Sequence, residues 1–271
     1  MGTLYIVPTP IGHLDDLTLR ALKVLGSVQL IAAEDTRHAA KLLTHFDLHT
    51  PTTSYFEHNK LSKLDRILST LETGDVALIS DAGTPGLSDP GYELIRAAID
   101  RGHPIVPLPG PTAAITALVA SGLPTDAFTF LGFLPRKTGE RQRAIEAIKD
   151  ERRTLIFYEA PHRLIETLID LRAICGDRSI CVARELTKIH EELWRGSISA
   201  ALDHFSGEVL GEIVLVVAGA PESERWTEER VRAALQSELD RGASTNAAAK
   251  AVAAQAGWTK REAYELMINE Q

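Results

Sequence analysis

Four short apolar runs, each leading through a turn into a helical pattern, constrain the fold of this chain more than any other feature. Leu4-Tyr5-Ile6-Val7, Val28 to Ala33, Val76-Ala77-Leu78-Ile79 and Ile105-Val106-Pro107-Leu108 read as buried strands. Between and after them, apolar residues recur at helical spacing: Leu17, Leu22 and Leu25; Leu42, Leu43 and Phe46; Leu64, Ile67, Leu68 and Leu71; Leu94, Ile95, Ala98 and Ile99. Continuously apolar strands alternating with helices predict a mainly parallel sheet covered on both faces. Thr18 is placed to cap the first helix, and Gly74 and Gly102 to end later ones.

The turns after these strands carry the polar chemistry. Pro8-Thr9-Pro10-Ile11-Gly12 follows the first, Glu34-Asp35-Thr36-Arg37 the second, and Ser80 to Gly91 the third. Pro109-Gly110-Pro111 follows the fourth and opens a helix near Thr112-Ala113. The Ser80 to Gly91 stretch holds three glycines, two prolines and two aspartates in twelve positions, and it has two readings, a sharply turning solvent loop or the floor of a ligand site. The first turn has neither the G-x-G-x-x-G of a dinucleotide fold nor the G-K-S/T of a P-loop. Any ligand is therefore held by several strand ends in another layout.

Gly122 to Asp126 marks a boundary, dividing an N-terminal α/β domain (1–122) from a second α/β domain (123–221) with a mixed sheet. Strands are expected at Phe128 to Leu134, Leu155 to Tyr158, Ile180 to Ala183, Glu192 to Arg195 and Ile213 to Val217. Residues 222–271 read as helices alone, and Ala247 to Ala256, Gly257 and a helix capped by Thr259 make a helix-turn-helix-like pattern. That hairpin is open to two roles, nucleic-acid contact or packing.

Composition narrows the classes. With 44% hydrophobic and 24% charged residues, disorder and coiled coil are excluded. No apolar run spans a membrane, and the chain opens on a strand pattern, so a cytoplasmic protein without a membrane partner is expected. Cys175 and Cys181 have no C-x-x-C spacing and the nine histidines no ligand clustering, so no metal is expected. A net charge of -8 argues against bulk electrostatic coating of nucleic acid. Arg136 to Arg153 nevertheless has seven Lys or Arg against four acids, either a solvated helix or a phosphate-contacting face.

Seven motifs in order carry a resemblance along nearly the whole length: L-Y-I-V-P-T-P-I-G-H-L from Leu4, A-E-D-T-R from Ala33, Ser80 to Gly91, P-L-P-G-P-T-A-A-I-T from Pro107, G-F-L-P from Gly132, F-Y-E-A-P-H-R from Phe157 and A-R-E-L-T-K from Ala183. Together they resemble the small-subunit ribosomal RNA 2'-O-ribose methyltransferase I family, within the tetrapyrrole-methylase superfamily of class III S-adenosylmethionine-dependent enzymes. His13 and the Gly86-Leu87 pair depart from the family's usual residues. The resemblance implies a homodimer of two-domain α/β subunits, each with a cofactor cleft between its domains and a helical extension after them. It also implies S-adenosyl-L-methionine as cofactor and 16S rRNA in the small ribosomal subunit as partner, methylated on a cytidine ribose in the decoding region.

By the same resemblance, cofactor contact falls to Ile11, Asp81, Gly83, Leu87, Thr112, Ala113, Phe157, Tyr158 and Ala218. Core packing alone also accounts for Phe157 and Ala218, and helix capping for Thr112. A ribose hydroxyl is a poor nucleophile and needs a proton acceptor. Glu185, Glu34 and Asp35 are candidates, with His58 and His190 behind them, while Arg37, Arg184 and Lys188 can neutralise phosphates. An ion-pair network is the other reading of these charges. Two alternative functions stand beside the main one: a tetrapyrrole or diphthine-type methylase with the same cleft, and a ligand-sensing, nucleic-acid-binding regulator.

Overall fold

The computed structural model describes residues 1–56, 60–221 and 226–268. Met1–Gly219 forms one compact unit and Ala220–Gln271 another. The first unit contains two five-stranded sheets.

The first sheet is built from β1 (Leu4–Ile6), β2 (Leu30–Ala33), β3 (Thr52–Ser54), β4 (Val76–Ile79) and β5 (Ile105–Pro107), in the order β3-β2-β4-β1-β5. Every pairing in it is parallel. Its crossover helices are α1 (Leu19–Ser27), α2 (Thr36–His45), α3 (Lys60–Thr73) and α4 (Tyr92–Asp100), and α5 (Ala113–Ser121) follows β5. Alternate residues of each strand serve two cores. Val7, Ile31, Ala77 and Ile79 pack under α1 and α2, while Leu4, Ala32, Val76 and Leu78 pack against the α3 and α4 side with Ile67, Leu71 and Leu94. The expected doubly covered sheet is thus present. Its fifth strand, β3, has the sequence Thr-Thr-Ser and no apolar run to reveal it; it joins through backbone pairing of Ile31 to Ala33 with Thr52 to Ser54 at the sheet edge.

Thr18 caps α1 as expected, its Oγ1 accepting from Ala21 N at 3.1 Å. Thr18→Ala should lower stability by about 1 kcal/mol, read as a fall in the urea midpoint with unchanged slope.

The second sheet comprises β6 (Phe128–Phe133), β7 (Thr154–Glu159), β8 (Ser179–Arg184), β9 (Glu192–Ser197) and β10 (Ile213–Val217), ordered β6-β7-β10-β8-β9. Only β6 and β7 pair in parallel; β10 runs antiparallel to β7 and β8, and β9 antiparallel to β8. The expected mixed sheet is present. Helices α6 (Thr138–Glu146), α7 (Leu164–Cys175) and α8 (Ile198–His204) complete this half, α8 being absent from the sequence reading. Leu155, Phe157, Leu168, Leu171 and Leu215 fill the core on one face, and α5 packs Ala114, Ala117 and Leu118 onto the other with Ile156, Cys181 and Val216. Helix α5 thereby joins the two sheets.

The Arg136 to Arg153 run is not a single charged face. Arg141 is buried, its Nε donating to Asp170 Oδ2 at 2.6 Å. Lys137, Lys149 and Arg153 pair with Glu140, Glu146 and Glu151. Arg136, Arg143 and Arg152 are exposed.

In the second unit, α9 (Glu228–Asp240), α10 (Thr245–Ala256) and α11 (Lys260–Ile268) share a small core of Val231, Leu235, Ala248, Val252 and Ala256. Gly257 ends α10 in the left-handed region at φ 67°, and Thr259 with Glu262 forms a reciprocal capping box at the head of α11. The apolar face of the alanine-rich helix is consumed by this packing. Among the described residues no helix is long and apolar enough to cross a membrane.

Candidate functional site

The turns after β1, β4 and β5 meet because those strands are neighbours in the sheet. Thr9 and Gly83 exchange two backbone hydrogen bonds, of 2.9 and 3.0 Å, and Thr9 Oγ1 donates to Ser80 O. Thr84 Oγ1 donates to Pro111 O at 3.1 Å, tying the glycine-rich loop to the third turn. Gly83 sits at φ 75° with Ile11 Cγ2 only 3.4 Å from where a Cβ would stand, and Gly86 at φ 80° needs the same backbone freedom. Gly86 therefore suits the loop's conformation. Crossovers from β1 to β2 and from β4 to β5 run in opposite directions across the sheet, the arrangement in which open α/β sheets bind ligands at strand carboxyl ends.

A cavity of about 380 Å³ opens at this point. Its first wall is Ile11, Glu34, Asp81, Gly83, Leu87 and Asp89 from the first sheet, continued by Thr112 and Ala113 at the head of α5. The facing wall comes from the second sheet: Phe133, Tyr158, Ala183, Leu186, Glu212 and Val214. Ser80 to Gly91 is accordingly part of a ligand-sized cavity and not an independent solvent turn.

Seven of the residues expected at the cofactor line this cavity: Ile11, Asp81, Gly83, Leu87, Thr112, Ala113 and Tyr158. Phe157 and Ala218 do not. Phe157 alternates to the opposite sheet face and is fully buried in that core. Ala218 lies beyond the carboxyl end of β10, and because β10 is antiparallel to β7 it is the other end, Ile213 and Val214, that reaches the cavity. Thr112 occupies the cap position of α5 without a side-chain cap bond. Glu34, Asp89, Phe133, Leu186 and Glu212 join the lining; of these the sequence singles out only Glu34 as a candidate, Asp89, Phe133 and Leu186 lie within the motifs, and Glu212 lies outside them.

Five carboxylate residues line the cavity, Glu34, Asp81, Asp89, Glu159 and Glu212. Burial pushes Asp89 up to about 6, helped by the charge of Glu34 and opposed by a hydrogen bond from Ser80. Burial likewise raises Glu34, against a backbone hydrogen bond from Asp81. The Tyr158 phenol is raised by burial too.

None of the charged motif residues Asp35, Arg37, Arg184, Glu185 and Lys188 lines the cavity, and most of them are paired. Arg37 and Asp35 pair locally, and the guanidinium holds the Asp35 carboxyl well below the usual range; Asp35 also caps α2. Arg184 donates to Glu192 Oε2 at 2.9 Å. Glu185, at φ 52°, accepts from Lys188 Nζ at 2.8 Å and from Glu212 N at 2.9 Å. Burial works against its charge, but these two donors prevail and its carboxyl is held low. Lys188 also reaches Glu212 Oε2 at 3.1 Å. Thr187 Oγ1 accepts from His13 N at 3.0 Å, so the A-R-E-L-T-K segment is laced to the first turn. A side chain at Gly12 would strike Thr187 Oγ1 at 2.5 Å. His190 is exposed, and His58 lies outside the described residues. No group of three or more His, Cys, Asp or Glu among the described residues is placed to hold a metal.

Residues 3–202 match the model of the tetrapyrrole (corrin/porphyrin) methylases. A relative from Synechocystis sp., "Ribosomal RNA small subunit methyltransferase I", is 46% identical over 273 residues, covering 99% of this chain and 98% of its own. The chain belongs to that family of tetrapyrrole methylases. The Bacillus subtilis member is also 46% identical over 273 residues, with 98% and 94% covered. Among solved structures, uroporphyrin-III C-methyl transferase from Thermus thermophilus complexed with S-adenyl homocysteine aligns with a TM-score of 0.57 at 16% identity, over 79% of this chain and 97% of that one. That likeness carries the fold: this methylase has the two-sheet α/β architecture of its superfamily, with the helical extension following it.

Proposed function

We propose that the chain is an S-adenosylmethionine-dependent methyltransferase acting on the ribose 2'-hydroxyl of a cytidine in the decoding region of 16S rRNA. The observation that supports it most is the cavity closed by four strand-end turns of one sheet and the facing wall of the other, in a chain nearly half identical to small-subunit rRNA methyltransferases along its length. The lining suits this cofactor: apolar surface at Ile11, Leu87 and Leu186 for a ring and an aliphatic chain, and carboxylates for cationic groups. When bound, S-adenosylmethionine supplies an electrophilic methyl group on a positively charged sulfur. Ile11, Gly83, Leu87, Thr112, Ala113 and Tyr158 would hold it, and Glu34, Asp81 and Asp89 would complement its charge.

Catalysis by this chain then consists of aligning the acceptor oxygen and excluding water. Glu185 fixes Lys188 and the Glu212 backbone at the cavity rim, a positioning role. Glu185→Gln is expected to lower turnover about tenfold or more with cofactor affinity nearly unchanged; equal loss of binding in calorimetry would sink that assignment. Arg184, Lys188, Asp35 and Arg37 stay with the RNA side of the same reading. The homodimer, the boundary after Gly122 and a cytoplasmic location belong to the proposal as well; light scattering tests the first and limited proteolysis the second. The function itself is tested by incubating labelled cofactor with undermethylated small subunits and analysing the nucleosides. A 2'-O-methylated cytidine is expected, and label on any other nucleoside or none would overturn it.

A further inference from the structure

A second cleft, of about 460 Å³, adjoins the cofactor cavity and shares Ile11, Asp81, Ala82 and Glu212 with it. Its own wall is the outer face of α2, with His38 and Lys41, and the first turn; Lys188 closes the far side. His38 Nδ1 stands 3.0 Å from Asp81 Oδ2, and the other oxygen of Asp81 accepts from Asp35 N at 3.0 Å. The carboxylate is therefore pinned to backbone on one side and presents its second oxygen to the imidazole. Among the described residues His38 Nε2 and Lys41 Nζ have no hydrogen-bond or ion-pair partner.

We infer that this cleft seats the acceptor ribonucleotide, with His38 taking the proton of the reacting hydroxyl and Lys41 facing a flanking phosphate; the inference rests on the methyltransferase reading above. Asp81 Oδ2 faces Nδ1 at 3.0 Å, so Nε2 is the ring nitrogen left to the cleft, the placement in which a third group orients a general base. The competing acceptors are already engaged. Glu185 accepts from Lys188 and from backbone, Glu212 Oε2 is held by Lys188, and Glu34 faces the cofactor cavity. In the step, the hydroxyl proton passes to Nε2 and the oxygen's electron pair forms the new O–C bond. The pair that joined methyl to sulfur stays on sulfur. A sulfonium and a neutral imidazole thus become a thioether and an imidazolium, which returns its proton to water. Charges facing His38 are Glu34, Asp35 and Asp81 from the strand-end turns, Lys41 on its own helix, and Lys188 and Glu212 across the cleft.

The test uses the whole protein with undermethylated small subunits. Single-turnover methylation by His38→Asn and His38→Ala should fall 10²- to 10⁴-fold, with S-adenosylhomocysteine affinity within threefold of wild type by calorimetry. At saturating cofactor the acid-side limb of the wild-type pH profile should vanish in His38→Asn, and added imidazole should partly restore His38→Ala. Independently of turnover, ¹⁵N spectra of the free protein should show neutral His38 protonated at Nδ1. A His38→Asn rate within threefold of wild type, a surviving limb, or an Nε2-protonated imidazole overturns the assignment. Wild-type protein that methylates no ribose overturns the underlying function and this inference with it, whereas an active wild type with active His38 variants removes the inference alone.

Discussion

Arg141→Met should lower the free energy of unfolding by about 3–5 kcal/mol, because it breaks a buried ion pair. Arg141 and Asp170 are both nearly fully buried, and the bond between them joins α6 to α7. Gln142 Nε2 holds the second Asp170 oxygen at 2.8 Å, and Glu166 Oε2 stands 3.3 Å from Arg141 Nη1. Removing the guanidinium strands a desolvated carboxylate with one amide for company. The cost of an uncompensated buried charge exceeds the net worth of the pair, so Arg141→Met with Asp170→Leu should recover most of the loss. Urea titration checks both variants, and a double variant no better than the single one would show that packing, not charge, sets the effect. Cofactor affinity should stay unchanged in whatever fraction folds, because these helices cover the face of the second sheet opposite the cavity.

The same residue shows where sequence reasoning stops. Seven basic residues in eighteen positions have a net positive charge whether or not they share a face, and only tertiary partners on α7 reveal that Arg141 turns inward. The first sheet was legible because parallel strands buried on both faces are continuous in apolar character, and the turns after them because Gly, Pro and Asp at strand ends have few other uses. β3 was not legible, since an edge strand needs only backbone groups and Thr-Thr-Ser supplies no pattern. At the site, the turns of the parallel sheet could be placed from sequence, because in such a sheet every strand's carboxyl end is on one side. The mixed sheet breaks that rule. Ala218 follows a strong strand, yet β10 runs the other way and offers Ile213 and Val214. Glu212, just ahead of that strand, becomes a wall of both clefts for the same reason.

The strongest binding effect is expected from pH. Asp89 is raised from its ordinary 3.8 to about 6, chiefly by burial, so the native chain holds this proton more tightly than the unfolded chain does. Between those two values the native state binds more protons, and stability therefore falls as pH rises through the window, levelling off above about 6. Asp89→Asn should flatten that slope and be the more stable form at neutral pH. A bound cation reverses the preference by favouring the carboxylate. Affinity for S-adenosylmethionine, which carries the sulfonium, should then rise on the order of tenfold relative to S-adenosylhomocysteine between pH 5 and pH 7.5. The comparison cancels the groups that the two ligands share, leaving the charge on sulfur. In Asp89→Asn the ratio should become nearly independent of pH, with the residual slope due to Glu34, which burial also raises. Calorimetry of both ligands across the range measures it. A constant ratio in the wild type would mean that the carboxylates of this cavity answer to something other than the sulfonium, and Glu34, Asp81 and Asp89 would lose their place beside it.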